Sequence, residues 1–157
     1  MSSSGKSTAA IPNLKKATVI VVRTEWNADI VDELYAGVKK ILEREKVNLL
    51  DFRVPGAFEI PFAIKKYWTH TGKKKPDAFI ALGCVIRGDT PHFEYVCRAV
   101  TDGIAALNLQ LPVPVIFGVL TVDNAEQAEQ RIGGIHGHKG EEAADAALKM
   151  ISFSRSI

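Results

Sequence analysis

Three short segments that could carry chemistry each follow a run of residues typical of a β-strand. They are residues 23–27, 54–59 and 87–92, which contribute an aromatic side chain, a Gly-Ala pair and a Gly-Asp-Thr-Pro-His sequence. In a parallel α/β sheet the loops that follow the strands open on one edge, where ligands bind. The sequence therefore predicts an enzyme pocket built from these three segments.

The sequence Gly88-Asp89-Thr90-Pro91 is typical of a helix start, because Thr is a favoured N-cap and Pro a favoured first helical residue. The free N–H groups and positive dipole end of such a helix attract anions. Gly88 would let a ligand approach the backbone closely. This turn could therefore bind a phosphate, but these residues taken alone are more typical of an ordinary capped helix.

His92 follows in the first turn of the same predicted helix and lies off its apolar face. An imidazole titrates near neutral pH, so a histidine beside a pocket is suited to proton transfer. Glu94 lies two residues on and could contact the ring. Taken alone, however, a histidine in this position is more typical of an ordinary surface residue.

Aromatic and charged side chains complete the predicted pocket. Trp26 is either a lid over the core or a platform on which a flat heterocycle stacks. Backbone N–H groups near Ala57 and Phe58 could bind the edge of such a ring. Arg131 and Lys139 are either surface charges or an anion clamp.

Other suggestive patterns favour simpler interpretations. Residues 5–8 read Gly-Lys-Ser-Thr, but no strand precedes them, as a phosphate-binding P-loop would require. The Arg-Gly-Asp tripeptide at 87–89 is interpreted as a strand-to-helix turn. His136 and His138 with His92 could suggest a metal, but the glycine-rich segment around His136-Gly137-His138 is more typical of a flexible turn, and we expect no metal site.

Composition indicates one globular domain. The chain has 157 residues, 46% of them hydrophobic, and a net charge of +2. The basic residues are dispersed except at 73–75, which we interpret as a solvated turn, so no nucleic-acid partner is expected. No apolar run reaches the roughly 18 residues that a membrane span needs.

The sequence predicts a short tail followed by one domain. Residues 1–12 are expected to form a flexible tail without the apolar core of a signal peptide, and residues 13–157 to form the domain. We expect a cytoplasmic protein. Cys84 and Cys97 agree with a reducing compartment, and both are predicted to be buried.

Apolar periodicity predicts strands and helices in alternation. Asn27 is expected to cap the first helix, Asn124 to cap a short helix with Gln127 as its partner, and Gly133-Gly134 to end that helix. The predicted strands cover residues 17–23, 47–54, 78–86 and 113–120. The predicted helices cover residues 30–42, 58–70, 93–107, a short segment after 124, and 139–153.

This order predicts an α/β fold: a single-domain three-layer αβα sandwich with a four-stranded parallel sheet, flavodoxin-like in shape. The third strand is the most hydrophobic and is expected to lie centrally.

Several segments of the sequence resemble the 6,7-dimethyl-8-ribityllumazine synthase family of riboflavin biosynthesis. The resemblance covers about residues 13–153, and its most specific blocks are Val-Pro-Gly-Ala-Phe-Glu-Ile-Pro at 54–61 and Gly-Asp-Thr-Pro-His at 88–92. It implies condensation of 5-amino-6-ribitylaminouracil with 3,4-dihydroxy-2-butanone 4-phosphate, with release of phosphate and water. It implies no metal or organic cofactor.

The resemblance also implies roles for individual residues. Trp26 would stack on the pyrimidine ring, His92 would move protons, and Arg131 would bind phosphate together with the turn at 88–90. Phe117, Arg131 and Lys139 would come from a neighbouring subunit. The remaining implied substrate contacts are Asn27, Gly56, Ala57, Phe58, Glu59, Val85 and Ile86.

Asp89 departs from the small neutral residue that many family members carry. A carboxylate beside a phosphate would repel it, so we expect only the backbone N–H of Asp89 to face the phosphate.

Assembly is a further implication. The family forms homopentamers, and some members close into a 60-subunit icosahedral shell. The short stretch at 133–140 resembles that of shell-forming members. Two alternatives stay open from the sequence: a flavin-binding module without catalysis, and a shell-forming protein that has lost activity.

Overall fold

The computed structural model describes residues 9–70, 72 and 74–157. The Gly-Lys-Ser-Thr sequence, most of the predicted tail and Lys73 lie outside the described residues. The strands are β1 (Thr18–Thr24), β2 (Asn48–Val54), β3 (Ala78–Ile86), β4 (Val115–Val122), β5 (Ile132–Gly134) and β6 (Gly137–His138). The α-helices are α1 (Ala28–Arg44), α2 (Ile60–His70), α3 (His92–Gln110), α4 (Ala125–Glu129) and α5 (Lys139–Ser156), and a 3-10 turn covers Ala57–Glu59.

The main sheet has the strand order β2-β1-β3-β4, and all its neighbouring strands are parallel. Helices α1 and α5 cover one face, and α2 and α3 cover the other. The predicted three-layer fold is therefore confirmed. The central place of β3 is also confirmed, because it pairs with β1 on one side and β4 on the other.

Alternating side chains of the buried strands supply the two halves of the core. In β1, Val19 and Val21 contact the layer of α1 and α5, whereas Ile20 and Val22 contact the layer of α2 and α3. Helix α5 lies so close to α1 that a side chain at Gly140 would overlap the carbonyl oxygen of Leu34. Burial of both sheet faces explains the continuous β-branched runs in the sequence.

The segment before α5 differs from the prediction. Helix α4 ends at Glu129, and Gly133-Gly134 do not end it but form β5, which pairs antiparallel with β6. Gly133 has a φ of 110°, a conformation that glycine adopts without strain. The predicted flexible turn around His136-Gly137-His138 is thus part of a small hairpin. The Nδ1 of His138 accepts a hydrogen bond from Glu141 N at the start of α5.

Other boundaries agree within a few residues. Strand β4 starts two residues later than predicted, and α5 runs three residues further. The predicted cap of α4 is confirmed, since Asn124 Oδ1 accepts from Gln127 N at 2.9 Å. The side-chain Oε1 of Gln127 accepts from Asp123 N at 2.8 Å, and not from the backbone N of the cap residue Asn124.

Among the helices of the described part of the chain, none combines the length and apolar character needed for a membrane crossing.

Candidate active site

A cavity of about 600 Å³ lies at the carboxyl edge of the sheet, between the ends of β1 and β3. β3 pairs with β1 only as far as Leu82, yet it continues to Ile86. The chain turns from β1 toward β2 on one side and from β3 toward β4 on the other, so the strand order reverses here. Such a switch point opens a crevice in which α/β proteins bind ligands.

Hydrogen bonds tie three strand exits into one rim. Glu25 N donates to Val54 O at 2.8 Å and Trp26 N donates to Pro55 O at 3.2 Å, which joins the exits of β1 and β2. The side-chain Nδ2 of Asn27 donates to Cys84 O at 2.7 Å, which joins β1 to β3.

Asn27 is the N-cap residue of α1, as predicted, and its carbonyl accepts from Ile30 N and Val31 N. It adopts a left-handed conformation with φ 56°, however, and its side chain makes no cap bond. An Asn tolerates this backbone conformation better than most residues, which frees the amide for β3.

The structure brings most of the residues named from the sequence to this cavity. Phe117, Asp89, Arg131 and Lys139 are not among the residues that line it. Those that do line it are Trp26, Asn27, Gly56, Ala57, Phe58, Glu59, Val85, Ile86, Gly88, Thr90 and His92.

Trp26 is not a lid over the core, because 74% of it is exposed. Phe58 is also exposed on the rim of the same cavity. Two exposed aromatic side chains beside a cavity offer faces on which a planar ring can stack.

The turn after β2 presents backbone donors to the cavity. Glu59 Oε2 accepts from Gly56 N at 3.0 Å, and this bond fixes the start of the 3-10 turn. No residue in the described ranges accepts a hydrogen bond from Ala57 N or Phe58 N. These two N–H groups are therefore available to a polar ligand.

The turn after β3 leads into α3, which begins at His92, directly after Pro91. The N-cap of α3 is Pro91 and not the predicted Thr90, so Pro91 precedes the first helical residue instead of being it. Thr90 Oγ1 accepts from His92 N at 3.4 Å, a long bond. The space beside Gly88 is open, since a Cβ there would meet nothing within 4 Å. His92 is exposed, as expected from its position off the apolar face.

The three residues assigned to a neighbouring subunit lie away from this cavity in their own chain. Phe117 lies on β4 and is 42% exposed. Arg131 Nη1 donates to Gln127 O at 2.7 Å, and Lys139 Nζ pairs with Glu142 Oε2 at 2.7 Å.

Comparison with known proteins identifies the family of the chain. The sequence profile of the 6,7-dimethyl-8-ribityllumazine synthase family matches residues 16–155. A 6,7-dimethyl-8-ribityllumazine synthase of Parabacteroides distasonis is 46% identical over 148 residues, which cover 92% of this chain and 91% of the relative. That of Cytophaga hutchinsonii is 48% identical over 145 residues, 90% of this chain and 89% of the relative.

The chain belongs to the 6,7-dimethyl-8-ribityllumazine synthase family. It is a transferase of riboflavin biosynthesis, and the comparisons give no support to the alternatives of a flavin-binding module or an inactive shell protein. The family implies small-molecule substrates and an oligomeric assembly.

The sequence analysis missed the contacts of Arg87, which lies next to cavity residues Ile86 and Gly88. Its Nε donates to Asp123 Oδ1 at 2.8 Å, its Nη1 pairs with the Glu94 carboxylate, and its guanidinium carbon lies 4.3 Å from the centre of the Phe93 ring. Glu94 therefore binds Arg87, and no contact between its side chain and His92 is seen in the described part of the chain. The only sequence signal was a charged residue at the strand exit.

Electrostatics follow from these contacts. The hydrogen bond from Arg87 lowers the pKa of Asp123 below its usual range. The Arg87 guanidinium likewise lowers the pKa of Glu94, and hydrogen bonds to Asp123 and then Glu94 raise the pKa of Arg87. The three groups are thus charged at neutral pH.

The two cysteines differ in burial. Cys84 is buried as predicted, and burial raises the pKa of its thiol to about 11. Cys97 is only half-buried, because the first turns of α3 extend beyond the core; burial also raises the pKa of its thiol.

Among the described residues, no group of three or more His, Cys, Asp or Glu side chains is arranged to hold a metal ion.

Proposed function

We propose that the cavity between β1 and β3 is where 5-amino-6-ribitylaminouracil condenses with 3,4-dihydroxy-2-butanone 4-phosphate. The observation that carries this assignment is the meeting of an exposed indole, two unbonded N–H groups and a helix start with its histidine around one cavity. Each of these features suits a different part of the two substrates.

The pyrimidine occupies the side of the cavity next to β1 and β2. Trp26 stacks on its ring, while Ala57 N and Phe58 N bind its polar edge. Glu59, which uses one oxygen to hold Gly56, has a second oxygen for the ribityl hydroxyls. Asn27, Val85 and Ile86 close this side.

The butanone phosphate occupies the side next to α3. Its phosphate lies at the turn 88–90, where the open space at Gly88 exposes the backbone and the N-terminus of α3 favours negative charge. Asp89 contributes its N–H only. Arg131 of a neighbouring subunit supplies the counter-charge.

The chemistry needs little beyond placement and proton transfer. The arylamine attacks the ketone, water and phosphate leave, and the ring closes. Holding the two substrates in register supplies most of the rate acceleration. His92 moves protons during imine formation and phosphate loss.

In this proposal the protein forms a homopentamer in the cytoplasm, and the pentamers assemble further into a 60-subunit icosahedral shell. Phe117, Arg131 and Lys139 would then complete the cavity of the next subunit. Their absence from the lining of their own cavity supports this arrangement. Light scattering and electron micrographs distinguish pentamer from shell.

Steady-state kinetics with each substrate varied test the residue roles. We expect Arg131→Ala to raise KM for the butanone phosphate roughly tenfold or more, because a charge-assisted bond is lost. His92→Ala should lower kcat only about tenfold, because proximity carries most of the acceleration. Arg44→Gln, on α1 and away from the cavity, is the control.

An unchanged KM for the butanone phosphate in Arg131→Ala would refute the anion role. The origin of Arg131 is tested by co-expressing Trp26→Ala with Arg131→Ala chains. If Arg131 comes from the neighbour, roughly a quarter of the mixed sites regain both residues and activity returns. If both residues serve one site from one chain, no activity returns.

A further inference from the structure

We propose that Arg87 is a positioning residue that holds the phosphate turn and the first turn of α3 in their working arrangement. The inference rests on the proposed function, because it takes the turn 88–90 as the place where the substrate phosphate binds.

The turn makes few bonds of its own. Gly88 has open space around it, and the bond from His92 N to Thr90 Oγ1 is long, at 3.4 Å. A loop with so little internal support needs outside anchors to keep a binding geometry within a few tenths of an ångström.

Arg87 supplies these anchors at the entrance of the turn. Its backbone N donates to Val122 O at 2.9 Å, and its side-chain Nε donates to Asp123 Oδ1 at 2.8 Å. Both partners belong to the exit of β4. One residue thus ties the end of β3 to the end of the neighbouring strand.

The same side chain reaches across to α3. Nη1 pairs with the Glu94 carboxylate, and the guanidinium plane lies against the Phe93 ring at 4.3 Å. Phe93 and His92 both line the cavity. Arg87 therefore fixes the helix turn that carries the proposed proton-transfer residue.

Charge gives Arg87 a second effect. Asp123 and Glu94 place two negative charges around Arg87, the residue directly before the turn, and the guanidinium between them neutralises part of that field. Without Arg87 both carboxylates would be unpaired near a bound dianion, and like charges repel. Only an arginine can bond two carboxylates in one plane and stack on a ring at once.

The test uses the intact protein with both substrates and with inorganic phosphate as a competing ligand. Arg87→Gln should raise both KM for the butanone phosphate and Ki of inorganic phosphate about tenfold, the effect expected from losing a coupled contact. KM for the pyrimidine substrate should stay within about twofold, because its side of the cavity is untouched.

Three further variants separate positioning from general damage. Arg87→Lys, which keeps one charge but not the fork, should fall between wild type and Arg87→Gln. Adding Glu94→Gln to Arg87→Gln should recover about threefold in KM for the butanone phosphate, because a repelling charge is removed. Arg44→Gln, which removes an exposed arginine paired with Glu45 and Asp145, should match wild type.

The outcomes distinguish this inference from the function on which it rests. If wild type forms lumazine and inorganic phosphate competes with the butanone phosphate, unchanged constants in Arg87→Gln overturn the positioning role alone. An equal rise of KM for both substrates also overturns it, since that indicates general damage. If phosphate does not compete in wild type, the turn is not the phosphate site and both proposals fall.

Discussion

Two arginines at the ends of neighbouring parallel strands are built into nearly identical clusters. Arg23, on β1, binds Asp51 at 2.8 Å and Asp32 at 2.9 Å and lies 3.9 Å from the centre of the Tyr35 ring. Arg87, just after β3, also binds two carboxylates and also lies against an aromatic ring.

The clusters differ in where they lie. The side chain of Arg23 is 10% exposed, and it shares the α1 face of the sheet with Val19 and Val21. The side chain of Arg87 is 44% exposed and lies next to the cavity. Burial decides how much a charge pair stabilises the fold. The Arg23 cluster therefore contributes to stability, whereas the Arg87 cluster positions the residues of the proposed site.

The largest expected effect on stability is at Arg23. Arg23→Gln should lower the free energy of unfolding by about 2 kcal/mol, because it leaves Asp51 without its charge partner beside the core. Urea denaturation at neutral pH measures the change. Arg53→Gln is the matched control, since Arg53 pairs with the same Asp32 at 3.8 Å from an exposed position.

Two results would contradict a stabilising role for the buried Arg23 cluster. One is that Arg23→Gln is no more destabilised than Arg53→Gln, and the other is that Arg87→Gln is destabilised more than Arg23→Gln. Steady-state kinetics test the same difference between the clusters. Folded Arg23→Gln should keep the KM of both substrates, whereas Arg87→Gln should have a raised KM for the butanone phosphate.

The next largest effect is a loss of stability at alkaline pH, which we expect for the Arg23 cluster only. Tyr35 Oη donates to Asp51 Oδ1 at 3.2 Å, and burial followed by the charge of Asp51 raises the pKa of this tyrosine. The stability that it contributes, about 1 kcal/mol, is present below about pH 10 and is lost as the pH rises above that value. Tyr35→Phe should lack this loss.

Denaturation of wild type and Tyr35→Phe between pH 8 and pH 11 makes the measurement. The difference in unfolding free energy between the two proteins is used because both contain Cys84. Burial raises the pKa of that thiol to about 11, so its contribution to stability also decreases in this pH range. A constant difference across this range would contradict the assignment.

The smallest effect is at acidic pH and belongs to the other cluster. Arg87 lowers the pKa of Asp123 and of Glu94, so their contribution to stability is present above the usual carboxyl pKa and is lost as the pH falls through the lowered values. The small difference in Tm between wild type and Arg87→Gln should therefore shrink as the pH falls below about 4. A difference that stays the same from pH 6 to pH 2 would show that packing against Phe93 accounts for it.

Much of the fold could be predicted because it depends on local pattern. The β-branched run at 18–22 and the apolar run at 78–86 are buried on both faces, and such runs are typical of central parallel strands. Asn124 caps α4 as expected, because its bond to Gln127 N spans three residues of sequence. Gly133-Gly134 misled the prediction, since a glycine pair suits a hairpin as well as a helix end.

The site was predicted as a set of residues, but their mutual contacts were not. Asn27 was assigned to its own helix, whereas its amide bonds Cys84, 57 residues away. Arg87 was interpreted as part of a turn, whereas its partner Asp123 lies at the end of the next strand. Neither contact has a signature in local sequence, because each depends on which strands lie side by side.

The sequence alone determined the four strands of the main sheet, the helices and the chemical types at the strand exits, because burial pattern, capping and turn preferences act over a few residues. The tertiary structure decided that β1 and β3 lie side by side with an open switch point between them. It also decided which carboxylates each arginine meets and which cluster borders the cavity. Those outcomes follow from the order in which strands join the sheet, a property of packing across the whole chain.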